Sequence, residues 1–379
     1  MVDQRKKKLK TIASKDHADV HAKRLRQFRQ KLKENNLDSF IVGSPQNKFY
    51  LTGWKGDVES GWVLITLSRN YILTDSRYTQ QVTLETKVFE VTEYDNQIEK
   101  FFGDFVRKVG VKSVGFESQH LSVSSFQKLK KFCQKVKFVP TDNFVEELRS
   151  IKDEGEIKNI KKAVKIADKT FEYILNKVKP GMTEKEVAWE MEQYIKNSGA
   201  DGLAWEPIIV AVGANSSMAH WGAGDREIKN KDTVLLDFGC IWRGYCSDIT
   251  RIIFVGQPTD LQKRIYDMVL SAGLLGESLI SRGKEASLID KTVKSFLENQ
   301  TKHSYRHGLG HGVGLEVHEL PKLSTQSKSK LEENNTVTIE PGIYIPGWGG
   351  IRLEDIGVVK RDGFELLTKA PKNISEVTI

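Results

Sequence analysis

Three of the eight histidines in this 379-residue chain lie close together in a glycine-rich segment. The segment reads SYRHGLGHGVGLEVHE and contains His307, His311 and His318, with Glu319 directly after the last histidine. Neutral imidazole is a common metal ligand. A metal-binding helix of the HExxH type would need a second histidine in register after Glu319, and none follows. The segment is therefore not a metal motif by itself, and other ligands must come from elsewhere in the chain.

Four acids interrupt segments that otherwise read as buried strands, although Asp in particular is disfavoured in strands. They are Asp237 in TVLLDFG, Asp248 at the start of DITRIIFV, Glu340 in TVTIEPG and Glu354 in GIRLEDIG. The residues between the first two can turn the chain, so two antiparallel strands would bring both carboxylates to one place. Each acid alone has an ordinary structural explanation. Together with the histidines they favour a metal site, because buried carboxylates need something that neutralises them.

The charge of this ligand set indicates how many metal ions it would hold. Four carboxylates and one neutral imidazole carry four negative charges, which two divalent cations balance. Carboxylates can also bridge two ions at the separation of ~3.5–4 Å that is typical of dinuclear hydrolases. An oxygen-rich set without thiolates favours manganese, with cobalt or zinc as alternatives, over a structural zinc site. The sequence thus predicts two divalent metal ions as cofactors.

The remaining segments predict an α/β protein with two domains behind a basic tail over residues 1–18, which we expect to be mobile. Helices and strands alternate over residues 19–147, beginning with an amphipathic helix over residues 19–35. FYLTG, WVLITL and YILTD are predicted strands of this first domain. A long charged helix from Glu147 leads into the second domain, residues 148–379, whose strands carry the four acids.

The composition argues against several other classes of protein. With 39% hydrophobic and 28% charged residues the chain is ordinary for a globular protein, and no apolar run is long enough to span a bilayer. The basic N-terminus lacks the apolar part of a secretory signal, and three cysteines are too few for a disulfide framework. We therefore expect a cytoplasmic protein without a membrane partner. The net charge of +8 is spread along the chain without a nucleic-acid-binding motif, so nucleic acid is not an expected partner.

The segments that carry these residues resemble those of the pita-bread metallopeptidases, which include methionine aminopeptidase, aminopeptidase P, prolidase and the metal-free creatinase. The resemblance runs from about residue 20 to the end and is most specific in AHWGAGDREIKNKDTVLLDFGCIWRGYCSDITR, HGLGHGVGLEVHE and TIEPGIYIPGWGGIRLED. It implies an α/β (α+β) fold, with a creatinase-like N-terminal α/β domain followed by a pita-bread catalytic domain. Matched position by position, the family's dinuclear metal ligands are Asp237, Asp248, His311, Glu340 and Glu354.

Further matches narrow the implied activity. NKFYLTG and LTDSRYTQQ are similar to the N-terminal domain that methionine aminopeptidases lack, and His307, His318, Tyr344 and Arg352 are similar to the proline-peptidase branch. The resemblance therefore implies hydrolysis of the bond between an N-terminal residue and proline in a peptide or dipeptide. A methionine aminopeptidase-like or other aminopeptidase is the alternative. A non-catalytic binding protein on this fold is disfavoured because no ligand is missing, and a homodimer is expected because the family usually dimerises.

The resemblance also implies roles for residues around the metal ions. A water or hydroxide that bridges the two ions would attack the carbonyl, and Glu340 would accept its proton and return it to the leaving nitrogen. His318 would donate a hydrogen bond to the oxygen of the tetrahedral intermediate. His220 would contact the substrate at the proline side or at its carbonyl, and His307 would help to position substrate near the proline pocket.

Two other residues each keep two interpretations. Arg352 and Glu354 are two positions apart on a predicted strand, so their side chains share a face. Arg352 can therefore orient a ligand acid, or it can bind the free carboxylate of a dipeptide, as the resemblance suggests. Tyr344 either hydrogen-bonds to the site or packs beside the pocket as an ordinary strand aromatic.

Overall fold

The computed structural model describes residues 20–379, which divide into two compact units between Arg149 and Ser150. The basic tail predicted over residues 1–18 lies outside the described residues. Within residues 20–379, no helix combines the length and the apolar character that crossing a membrane requires. All three cysteines are buried free thiols.

The first unit contains a mixed six-stranded sheet with the strand order β4-β3-β2-β1-β5-β6. Its strands are β1 (Ser39–Val42), β2 (Trp62–Thr66), β3 (Asn70–Thr74), β4 (Glu90–Glu93), β5 (Ser113–Glu117) and β6 (Lys137–Thr141). Its helices are α1 (20–34), α2 (Pro45–Thr52), α3 (Thr79–Glu85), α4 (Ile98–Val109) and α5 (Val123–Phe132). The amphipathic face predicted for the first helix is confirmed, because Leu25, Phe28 and Leu32 are buried.

The strand predicted at FYLTG is wrong, because these residues belong mostly to helix α2. The Ser44 hydroxyl accepts a hydrogen bond from the backbone N–H of Asn47, and Pro45 occupies the first turn. Gly53 ends the helix in the left-handed conformation. These start and stop signals outweigh the strand preference of the aromatic and β-branched residues between them.

The single long helix predicted from Glu147 is two helices in the structure. The short helix α6 (Glu146–Ser150) ends before a new cap at Asp153, where Glu156 completes a capping box for α7. The second unit contains the helices α7 (Glu154–Leu175), α8 (Glu184–Asn197), α9 (Asp260–Leu279) and α10 (Ala286–Glu298). Helices α7 and α8 pack on each other through apolar residues at helical spacing, among them Phe171 and Met191.

The strands of the second unit form several small sheets that together carry the predicted site residues. The strands are β7 (Gly202–Leu203), β8 (Ile209–Val212), β9 (Thr233–Phe238), β10 (Cys240–Trp242), β11 (Tyr245–Cys246), β12 (Ile249–Phe254), β13 (Gly310–Gly312), β14 (Glu319–Leu323), β15 (Thr336–Ile339), β16 (Gly342–Ile345), β17 (Gly349–Arg352), β18 (Asp355–Lys360) and β19 (Gly363–Leu366). The sheet orders are β12-β9-β8, β11-β10-β7, β14-β13-β15-β18-β19 and β16-β17.

Substitution of Gly310 by alanine should destabilise the second unit. A Cβ atom at Gly310 would lie far inside van der Waals contact with the backbone carbonyl of Thr338, which cannot move without disturbing the neighbouring strand. We expect Gly310→Ala to lower the free energy of unfolding by about 3 kcal/mol, the upper end of the usual range for overpacking. Chemical unfolding measures this change. Gly202→Ala is the matched control, because a Cβ there meets nothing within 4 Å, and equal stability of both variants would contradict the close approach.

Candidate metal centre and active site

The four acids of the predicted metal site lie at or beside strands of the second unit. Only Asp237 lies inside a strand, β9, whereas Asp248 directly precedes β12 and Glu340 directly follows β15. Glu354 lies between β17 and β18 at an isolated bridge to Thr250. The prediction of positions inside a strand is therefore wrong for Glu340 and Glu354, whereas the position of Asp248 agrees with the prediction that it opens its segment. The physical reason is that a strand end frees the carboxylate from the side-chain alternation that the pleat imposes.

The pairing of the strands brings these acids together in two pairs. In the antiparallel pair β9 and β12, Asp237 lies opposite Thr250, and Asp248 is two residues before Thr250 on the same face. A tight turn at Arg243 and Gly244, both at positive φ, joins the intervening strands β10 and β11. In the second pair, the register of β15 with β18 and of β16 with β17 places Glu340 opposite Glu354.

His311 on β13 meets both pairs of acids. Its Nε2 atom lies 3.3 Å from Oε1 of Glu340 and 3.6 Å from Oδ2 of Asp248. One ligand atom from each of Asp248, His311 and Glu354 lies within 4.8 Å of the other two, which is a suitable cluster for a metal ion. The structure thus brings all five predicted ligands into one region.

The hydrogen bonds of His311 indicate that a cation belongs in this cluster. Nδ1 lies 3.1 Å from the carbonyl oxygen of Gly312, and because a carbonyl only accepts, Nδ1 carries the hydrogen. In the neutral ring, Nε2 therefore presents a lone pair to the carboxylates of Asp248 and Glu340. A group made only of acceptors is unfavourable unless a proton or a metal ion lies among them. The ligand set therefore fits a divalent cation.

Two buried oxygen atoms support the same conclusion. Among residues 20–379, Oδ1 of Asp237 and Oε1 of Glu354 are buried and have no hydrogen-bond partner. Their other oxygens are satisfied, since Oδ2 of Asp237 accepts from Arg352 and Oε2 of Glu354 accepts from the Thr250 hydroxyl at 2.8 Å. Each acid is thus oriented through one oxygen, and its other oxygen fits a metal ion as its partner.

Burial and mutual repulsion shift the pKa values of these acids. Burial raises the pKa of Glu354 to about 8, with further contributions from the charges of Glu340 and Asp237. Burial and the charge of Glu354 raise the pKa of Asp248 well above its ordinary value, and burial also raises the pKa of Asp237. Glu340 differs, because in the metal-free site a protonated His311, whose own pKa is raised, donates a hydrogen bond and lends its charge, and these outweigh burial and lower the pKa of Glu340. The metal-free site therefore holds protons that a metal ion must displace.

The cluster opens into a cavity of about 620 Å³. All five predicted ligands line this cavity, and so do the other predicted site residues His220, His307, His318 and Arg352. The apolar side chains in its lining include Trp205, Pro207, Ile209 and Val317. The predicted site residue that does not line it, Tyr344, reaches the site through hydrogen bonds.

A chain of hydrogen bonds joins His307 to Asp237 through Tyr344 and Arg352. Nδ1 of His307 donates to the carbonyl of Gly308 at 2.7 Å, so Nε2 accepts from the Tyr344 hydroxyl at 3.1 Å. The Tyr344 oxygen accepts from Arg352 at 2.8 Å, and Arg352 also donates to Asp237. Desolvation lowers the pKa of His307, which agrees with this neutral tautomer. Both ring nitrogens of His307 are therefore engaged within the protein.

His220 and His318 differ from His307, because neither has a hydrogen-bond partner among residues 20–379. The ring of His318 lies against that of His311, with 4.1 Å between the ring centroids. Desolvation and the neighbouring His311 lower the pKa of His318, so the ring is neutral at neutral pH. An imidazole ring carries at least one N–H in either protonation state, so both side chains are available to bind a substrate oxygen.

Two residues of the site, Thr250 and Lys322, were not predicted from the sequence. Thr250 accepts from Nε of Arg352 at 3.1 Å and donates to Glu354, so it connects the Arg352 guanidinium to the Glu354 carboxylate. Its position two residues after Asp248, on the same strand face, could have suggested it. Lys322 on β14 lines the cavity, is exposed, and has no carboxylate within ion-pair distance in the described chain.

Comparison with known proteins places the chain in a family. The model of metallopeptidase family M24 matches residues 158–361, and the model of the Creatinase/Prolidase N-terminal domain matches residues 24–151. The chain belongs to metallopeptidase family M24. The predicted family, fold class and enzyme class are therefore confirmed, and the M24 family is consistent with the cation-binding cluster described above.

Similar proteins match nearly the whole length of the chain. The uncharacterized peptidase YqhT of Bacillus subtilis is 38% identical over 352 residues, which are 93% of this chain and 99% of that protein. The structure of an Xaa-Pro dipeptidase from Bacillus anthracis is 36% identical with a TM-score of 0.90, covering 95% of this chain and 100% of that one. The structure of an X-Pro aminopeptidase from Thermotoga maritima MSB8 is 33% identical with a TM-score of 0.84, covering 92% of this chain and 100% of that one.

Binding of Mn²⁺ at pH 7 should release protons and should tighten as the pH rises through about 8. In the metal-free chain the pKa of Glu354 is raised to about 8, and a ligand carboxylate must lose its proton to bind. Titration calorimetry in buffers of different ionisation enthalpy counts the released protons. Glu354→Gln should bind Mn²⁺ more weakly and release fewer protons. A proton count of zero for the unaltered chain would contradict the shifted pKa.

The same shift determines how the stability of the metal-free chain depends on pH. Between the ordinary pKa of a glutamate and about 8, the folded chain binds more protons than the unfolded chain. The free energy of unfolding therefore falls as the pH rises through this window. With EDTA present, we expect the Tm to decrease from pH 5 to pH 8. Saturating Mn²⁺ should flatten this decrease, and an identical decrease with and without the metal would contradict the site.

Proposed function

We propose that this chain is a metal-dependent Xaa-Pro peptidase that hydrolyses the bond between an N-terminal residue and proline. The observation that carries this proposal is the cluster of buried acceptors in the lining of a cavity that His220 and His318 also line. The Xaa-Pro dipeptidase and X-Pro aminopeptidase with similar structures support the same substrate class.

We further propose that the cluster holds two divalent cations, manganese above all, with cobalt or zinc also suited to an oxygen-rich set. Such ions, when bound, would acidify a water molecule and polarise the scissile carbonyl. The proposed ligands are Asp237, Asp248, His311, Glu340 and Glu354. The two unpartnered oxygens of Asp237 and Glu354 and the lone pair of His311 support this assignment.

Glu340 suits the role of proton carrier. Its carboxylate lines the cavity and only accepts when ionised, so an oxygen of Glu340 can accept a proton from the attacking water. The bond before proline is a tertiary amide, whose leaving nitrogen has no hydrogen and must be protonated. The same carboxylate can deliver the proton there, because it faces the cavity.

His318 and His220 suit contacts with the substrate oxygen atoms. A neutral imidazole without a partner can donate its N–H to the carbonyl oxygen as negative charge develops there, and we assign this role to His318. His220 would contact the substrate on the proline side. The ring of His307 and the apolar side chains of Trp205 and Ile209 would enclose the pyrrolidine ring.

The cation of Lys322 favours dipeptides among the possible substrates. A dipeptide carries its free carboxylate directly after proline, and an exposed lysine at the cavity without an acidic partner can bind it. Arg352 is less suited to this task, because its guanidinium already donates to Asp237, Tyr344 and Thr250. Its contacts support the interpretation that it orients a ligand acid.

Metal-loaded protein should cleave Ala-Pro and should leave a Met-Ala peptide intact, because the cavity wall suits a pyrrolidine ring. Arg-Pro-Pro, in the same assay, separates aminopeptidase from dipeptidase activity. Release of the N-terminal amino acid, measured by chromatography, gives the rates. Asp237→Ala should remove activity and metal binding, whereas Asp362→Ala, an exposed acid in the turn between β18 and β19, should retain both. Cleavage of Met-Ala alone would favour the methionine aminopeptidase alternative.

Lys322→Ala should raise the KM for Ala-Pro about 10- to 100-fold, which corresponds to a lost hydrogen bond between charged groups. Ala-Pro amide lacks the free carboxylate, so its KM should change little. Lys322→Arg is the conservative control and should retain most of the affinity for Ala-Pro. Equal increases in KM for Ala-Pro and its amide would contradict carboxylate binding.

The homodimer and the cytoplasmic location remain predictions from the sequence. Sedimentation at several protein concentrations tests the first, and fractionation of cells tests the second.

A further inference from the structure

Glu184 is a fully buried acid at the first residue of helix α8. The cap of this helix does not need it, because Thr183 and Glu186 form a complete capping box. It also does not line the cavity. A buried carboxylate still requires donors for its oxygens. For Glu184 these donors come from the segment that carries His220, residues 212–224, which we call the His220 loop.

Four hydrogen bonds satisfy both oxygens of this carboxylate. Oε1 accepts from the backbone N–H of Val212 and from the side-chain amide of Asn215, each at 2.8 Å. Oε2 accepts from the indole N–H of Trp221 at 2.8 Å and from the backbone N–H of Gly224 at 2.9 Å. A single side chain thus fixes the beginning, the middle and the end of the His220 loop.

The His220 loop depends on such contacts for its shape. Its short 3-10 turn ends at Ser217, and residues 218–224 have no regular secondary structure. Ala219 and His220 lie in this irregular part and line the cavity. The carbonyl of Ala219 also accepts a hydrogen bond of 3.4 Å from Arg352. The position of the loop therefore affects both His220 and Arg352.

We propose that Glu184 is a positioning residue, which acts on the substrate through His220 and does not contact the substrate itself. The inference rests on the proposed function, because it assigns Glu184 to the proposed substrate contact of His220. A carboxylate is required, because both oxygens accept two hydrogen bonds each. A glutamine of the same shape would turn its NH₂ group toward two N–H donors and could not accept from them.

Glu184→Gln should loosen the His220 loop and weaken substrate binding. Hydrogen exchange of the amides in residues 212–224 should become about 10-fold faster, while the rest of the second unit changes little. The KM for Ala-Pro should rise about 10-fold, the scale of one lost hydrogen bond to a charged group, with kcat changing less. Manganese content should stay the same. Thr183→Ala is the matched control, because it weakens the same helix end and leaves the four hydrogen bonds of Glu184 in place.

A double-variant comparison tests whether Glu184 acts through His220. The rise in KM caused by Glu184→Gln should disappear when His220→Ala is already present, because coupled residues give non-additive effects. Additive effects would overturn the proposal. Unchanged hydrogen exchange in residues 212–224 would overturn it whether or not the chain cleaves proline peptides. An unaltered protein that cleaves no Xaa-Pro peptide while Glu184→Gln loosens the loop would overturn the proposed function alone.

Discussion

The second unit is built around one electrostatic constraint: buried hydrogen-bond acceptors converge without enough donors. In its neutral form His311 presents a lone pair to two carboxylates, and Asp237 and Glu354 each bury an oxygen that no group among residues 20–379 satisfies. Arg352 supplies one permanent positive charge at the edge of this cluster. Protons or metal ions must supply the rest, since uncompensated charge in a protein interior is strongly unfavourable.

The strands of the small sheets end next to the acids, and this places the carboxylates in the cluster. Asp248, Glu340 and Glu354 lie just outside β12, β15 and β18, so the backbone ladders hold them on one side while their side chains turn to the cluster. Behind the cluster, Arg251 is fully buried and donates to the carbonyl of Glu354 and to the carboxylate of Asp355. Adjacent acids in the sequence therefore serve opposite purposes, one open to the cavity and one neutralised in the core.

The residues that could be predicted from the sequence are those that break a residue preference of secondary structure. Acids in apolar β-branched segments are anomalous, and for that reason Asp237 and Glu340 stand out in the sequence alone. Ordinary residues gave no such signal: Thr250 and Glu184 become important only through partners about 30 to 100 positions away, as their hydrogen bonds show. The two wrong predictions of secondary structure each have a cause in a nearby helix cap. At FYLTG the cap at Ser44 outweighed strand preference, and the cap at Asp153 divided a helix that its charge pattern had joined.

The wide spacing of the proposed ligands has a consequence for the biosynthesis of the protein. A ribosome adds Asp237 and Asp248 early in the second unit, but His311 follows only after helices α9 and α10, and Glu354 comes later still. Until then the nascent chain has no complete coordination set, so its first two acids stay protonated or solvated. Completion of the proposed ligand set therefore coincides with completion of the β-sheets, because Glu354 directly precedes β18.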